Sequence, residues 1–159
     1  MLNQFSVKKL GEVLAFAKVG EETFAKGGGA LREVFDPETG DAFRNTNREQ
    51  ITLIENFARE AEVEEAVAGK SESTSAKLRN MRELYLKEED WRDAAELLEW
   101  LGFFEGAAVV HWSLVQGAAE QSGDQKLLEV AAAGRAFHDN VFEKVADAVR
   151  ELAKARTGA

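Results

Sequence analysis

The sequence contains no cysteine. Disulfides, thiolate zinc sites and cysteine-held iron–sulfur clusters are therefore excluded. It has a single proline, Pro37, and proline is the residue least compatible with a helix interior. Basic residues are the minority, 20 against 29 acidic ones, for a formal charge of −9. A phosphate backbone needs a positive field, so no nucleic-acid partner is expected. The same negative balance suits cation binding, or simply a well-solvated surface. No apolar run approaches the 18 or more residues of a membrane span. The opening "MLNQFSVKKLGEVLAF" lacks the uninterrupted apolar core of a signal peptide. The expectation is a soluble, cytoplasmic chain with no membrane partner.

What remains is ordinary globular material, 45% hydrophobic and 31% charged. A chain of 159 residues fits one domain, 1–159, and is long enough to bury roughly 68–70% of its unfolded surface. Abundant Ala, Leu, Glu and Lys predict long helices.

The first helix is expected from about Val7, with Leu10, Leu14, Ala17, Glu21, Phe24 and Leu31 on one face. "GGG" at 27–29 is a weak point, each helical glycine costing about 1 kcal/mol against alanine. "VFDPETGDAF" at 34–43 reads equally as a short β-hairpin around Asp36-Pro37 or as a helix–helix loop. Thr46 with Glu49 has the form of a capping box and predicts the start of the second helix. Its stripe is Ile51, Ile54, Ala58, Ala61, Glu65 and Ala68. "GKSESTS" at 69–75 reads as a loop, followed by a short amphipathic helix over 76–90. A third long helix is expected over Asp90–Gln121. "SGD" at 122–124 breaks it, with Asp124 capping the last helix. That helix presents Leu128, Ala131, Arg135, His138, Phe142, Val145, Val149 and Leu152 on one side. Two helix pairs joined by the long stretch 69–89 predict an all-α four-helix bundle with a long crossover between helices 2 and 3. "LGEVLAFA" (10–17) echoes "LLEWLGFF" (97–104), a match that in Leu- and Ala-rich helices arises by chance more often than by descent.

Each long helix has an ionisable residue on its apolar side: Glu21, Glu65, Glu105 and His138, with Arg135 one turn before the histidine. An unpaired buried carboxylate costs several kcal/mol, so such groups pair, neutralise or hold a metal. Oxygen and imidazole ligands converging in a bundle core suit iron or manganese. His111 lies beside its stripe and reads as a satisfied or partly exposed histidine. Trp91, Trp100 and Trp112, with Phe103 and Phe104, read as core.

The segment 104–142, "FEGAAVVHWSLVQGAAEQSGDQKLLEVAAAGRAFHDNVF", has a glutamate followed seven residues later by an aromatic, Glu105 and Trp112. A short turn and a helix bearing His138 follow. In this it resembles the ferritin-like superfamily, and within it the rubrerythrin-type proteins. The resemblance implies a carboxylate-bridged di-metal site for oxygen or peroxide chemistry, with Glu21, Glu62, Glu65, Glu105 and His138 as ligands. Arg135 stands where the family carries a further glutamate, and a guanidinium is no metal ligand. The alternative reading of the same residues is an Arg135–Glu105 ion pair inside a metal-free bundle that acts as a structural or interaction protein. A homodimer is the expected assembly for a bundle of this size.

Overall fold

The structure is a computed structural model that describes residues 1–158. It is all-helical: α1 (Gln4–Leu31), α2 (Pro37–Glu60), α3 (Glu64–Tyr85), a 3₁₀ turn (Glu89–Arg92), α4 (Ala94–Ser122) and α5 (Gln125–Thr157). Among the described residues no helix is long and apolar enough to cross a membrane.

Local chemistry sets the helix starts. Asn3 caps α1, its Oδ1 accepting from the Ser6 N–H at 2.8 Å. Asp36 caps α2 in the same way through Thr39, with Pro37 in the first turn, where its missing N–H costs nothing. This arrangement replaces both the hairpin at 34–43 and a helix start at Thr46. The Asp36 carboxylate with Pro37 behind it is the stronger nucleus, and Thr46 becomes an interior position. Between α4 and α5 the expected break is found, with Gly123 at φ 68° and Asp124 capping α5 through Leu127.

α1 passes through Gly27–Gly29 unbroken. Gly27 is held there by tertiary contact, since a Cβ on it would lie 3.1 Å from Leu97. Five consecutive residues, Val13–Ala17, are all buried. More than a full turn of burial means that neighbours surround this helix. α2, α3 and α4 all pack on it.

The pairings fix the directions. α2 runs antiparallel to α1, with Phe24 against Phe43 and Gly20 against Asn47. α3 returns parallel to α1, with Gly11 against Lys70 and Glu22 bound by Arg79. α4 is antiparallel to α1, with Gly27 against Leu97 and Glu12 near His111. α5 is antiparallel to α4 and also touches α2.

"GKSESTS" is therefore helix and not loop. Ser71 and Ser75 lie on the buried side of α3 with Val67, Leu78 and Arg82. Their small side chains, with Gly11 opposite Lys70, let α3 sit close against α1.

The core consists of two apolar clusters. One gathers Phe16, Phe24, Leu97, Leu101, Phe104 and Val141. The other gathers Leu10, Leu14, Ile54, Trp112, Val115 and Leu127.

Candidate functional site

Between the two clusters lies a band of buried polar residues. Asn47 and Gln50 enter it from α2, Glu105 from α4 and His138 from α5, and none is more than 5% exposed. Residues 16–20 of α1 run alongside α2 and α4 here. Gly20 faces Asn47, and Phe16 packs on Phe104 and His111 of α4. Burying such groups is costly unless they are hydrogen-bonded.

The strongest interaction here joins Glu105 and His138. His138 Nδ1 lies 2.5 Å from Glu105 Oε2, with both side chains fully buried. A carboxylate–imidazole hydrogen bond fixes the orientation of the ring. The second atoms of the pair, Glu105 Oε1 and His138 Nε2, have no protein partner. On α2, the Asn47 side-chain N–H donates to the Phe43 carbonyl at 3.0 Å. Asn47 Oδ1, Gln50 Oε1 and Trp112 Nε1 are likewise without partners. Two glycines make room for the band: Gly20 for the Asn47 amide and Gly134 for the Trp112 indole.

The remaining residues expected at a metal site lie elsewhere. Glu21 sits at the α1–α2 edge and accepts from Arg44 and Arg48 at 2.8 and 3.0 Å. Glu62 is exposed in the turn between α2 and α3, where it adopts φ 57°, and Glu65 is exposed in the first turn of α3. Arg135 is also exposed. It donates to Gln116 at 3.2 Å and lies 3.5 Å from Asp139, so the expected Arg135–Glu105 ion pair is absent. The pair that forms is Glu105–His138.

A carboxylate-bridged two-metal centre draws a glutamate from each of two helices and a Glu-x-x-His from each of the other two. Here α1 offers Gly20 at this level, α2 offers two neutral amides, and the pre-histidine position points out. The one buried carboxylate is bonded to the one buried imidazole. Among the described residues no three His, Asp or Glu side chains group so as to hold a metal ion. These residues do not fit a di-metal centre.

The charged clusters of the surface are self-contained. Burial opposes ionisation of Glu12, but the hydrogen bond and charge of Lys9, with His111 and Lys70 nearby, outweigh it. Its carboxyl lies below the usual range. His111 Nδ1 lies 2.7 Å from the Ala107 carbonyl and donates to it, which leaves Nε2 toward Glu12. The bidentate Arg79 hydrogen bond holds Glu22 low, and the charge of Arg82 assists. At the start of α4, Tyr85 donates to Glu99 at 2.7 Å and its phenol is pushed up to about 12. Glu96 is raised by the charge of Glu99, with Asp90 and Asp93 adding to it.

Sequence reasoning found Glu105 and His138 but missed Asn47, Gln50 and Gly134. The signal for the first two was present, because 43, 47, 50, 54 and 57 form a helical stripe once polar members are admitted. Comparison with protein-family models, curated proteins and solved structures finds no match to this chain.

Proposed function

We propose that this chain is a helical interaction protein built on a ferritin-like four-helix plan without a working metal centre. α1, α2, α4 and α5 are the four helices of that plan, and α3 is the long crossover, itself helical. In support, α2 and α4 run in the same direction, as two helix pairs joined by a crossover require. The Glu105–His138 band then fixes how α4 and α5 register against each other, the best-attested use of a buried polar group.

The observation that carries this reading is the outer side of α4. Between Trp100 and Ala119 the only charged residue is the buried Glu105. Facing out are Phe103, Val110 and Leu114, the first two 64% and 59% exposed. A helix that is apolar all round belongs in an interior or an interface. Along 100–119, α4 shows exposed apolar side chains on its outer side and is covered on the other.

The test is metal content per chain after aerobic incubation with ferrous iron, and separately with manganese, followed by removal of excess. Substoichiometric retention is expected with both. About two bound ions per chain would overturn this reading in favour of oxygen or peroxide chemistry at Glu105 and His138.

A further inference from the structure

We infer that the outer face of α4 is the seat of a second copy of this chain, docked antiparallel about a two-fold axis near Val110. This rests on the interaction reading above and names the partner.

The face is wider than one helix. Phe5 of α1 shares a hollow with Leu114, Gly117 and Ala118. On the other flank the exposed Phe142 ring of α5 lies 3.6 Å from where a side chain on Gly106 would begin. A 29-residue helix is about 43 Å long. A strip of that length needs a width of only about 20 Å, two helix diameters, to supply the ~800 Å² per partner of a stable interface. That is about a tenth of the 8577 Å² surface, and Phe5 and Phe142 widen the α4 strip on its two flanks.

Shape favours the antiparallel arrangement. A two-fold axis at Val110 sets Phe103 opposite the partner copy's residue 117, a glycine, and Leu114 opposite residue 106, also a glycine. Phe103 and Leu114 thus each meet a glycine, with Val110 on Val110 at the axis. A parallel arrangement sets Phe103 on Phe103 and Glu99 on Glu99, which wastes the glycines and stacks like charges.

Charge favours it too. Copies carrying −9 each repel on average, and this stripe is where charge is missing. Its two ends differ in charge. The N-terminal end of α4 bears Glu96 and Glu99, with Asp90 and Asp93 adding to the same field. The C-terminal end carries one exposed acid, Glu120, but lies beside the first turns of α1, where Lys8 is exposed one turn from Phe5 and Lys9 lies over the Phe5 ring. Antiparallel docking brings the acidic end of one copy to the end of the other that carries Lys8 and Lys9, twice.

Sedimentation equilibrium of the wild type is expected to give twice the 17.5 kDa chain mass at tens of micromolar. Val110→Glu sets two like charges at the axis and weakens the dimer about a hundredfold or more, while helicity and melting temperature stay near wild type because position 110 is exposed in one copy. Lys8→Glu weakens it about three- to tenfold through two symmetric contacts, and adding Glu99→Lys in the same chain restores it. The chain has no cysteine, so Val110→Cys reads the axis directly: mild oxidation is expected to cross-link it quickly, and Leu53→Cys, exposed on α2, slowly. A monomeric wild type overturns self-pairing, as does a Val110→Glu protein that stays dimeric. Metal content of the same samples is a separate readout, so retained iron overturns the interaction reading whichever mass is found.

Discussion

The indole of Trp112 occupies the space that a side chain on Gly134 would need: a Cβ there would lie 2.3 Å from the ring. This contact sets the closeness of α4 and α5 one turn from the Glu105–His138 pair. Gly134→Ala forces the ring out of its packed position. Overpacking costs about 1–3 kcal/mol and outweighs the ~1 kcal/mol that alanine gains in a helix. A net loss of up to about 2 kcal/mol is expected in urea unfolding. Gly29→Ala, with open space around it, is expected to stabilise by up to about 1 kcal/mol.

For the buried pair, Glu105→Leu and His138→Leu are each expected to cost about 3–5 kcal/mol, because each leaves a buried polar partner stranded. The double variant, apolar on both sides, is expected to recover most of that loss or exceed wild type. A double-mutant cycle from denaturant midpoints measures the coupling. Arg135→Ala, on the surface, is expected to change stability by less than about 0.5 kcal/mol. A loss at Arg135 as large as that at Glu105 would mean that the partner of Glu105 is misassigned.

Glu62 holds φ 57° at the end of α2, a region in which an L-residue is strained and glycine is not. Glu62→Gly is expected to raise stability by about 0.5–1 kcal/mol. Thermal unfolding followed by circular dichroism is the check. A destabilised variant would show that this side chain makes contacts that outweigh its backbone strain.

Acid sensitivity follows from Glu22. Its carboxyl lies below the ordinary 4.5, held there first by the Arg79 hydrogen bond. A carboxylate with a lower pKa in the folded than in the unfolded chain adds stability that is complete above the unfolded value. That stability disappears as pH falls through the folded value. Glu22→Gln is therefore expected to be less stable than wild type at pH 7, with the gap closing below pH 4.5. The gap is small, since the Arg79–Glu22 pair is about 40% exposed. Urea midpoints at a series of pH values measure it, and a gap that widens toward low pH would contradict the assignment.

How far the sequence carried depended on what each helix buries. Apolar stripes and strong caps located α1, the α4–α5 break at Gly123-Asp124, and the placement of Glu105 and His138 inside. α3 was legible only in its C-terminal half. Its contact with α1 uses Ser71 and Ser75, and a search for apolar periodicity passes over small polar residues. The inner stripe of α5 runs through Leu127, Ala131, Gly134, His138, Val141 and Val145. Glycine adds nothing to a hydrophobic count, so the stripe was read one residue on, through Arg135 and Phe142. That shift brought an arginine inward on paper. It also hid Phe142 on the outer surface, where it flanks α4.

The scarcity of charge in α4 has a consequence before the chain has folded. From Asp93 onward the first Lys or Arg is Lys126, so trypsin releases the whole of α4 within one long peptide. In the newly made chain that same stretch is the part least protected by repulsion between copies. Refolding at high concentration therefore loses material through this segment first, and dilution or early docking of α5 over its inner side is what spares it.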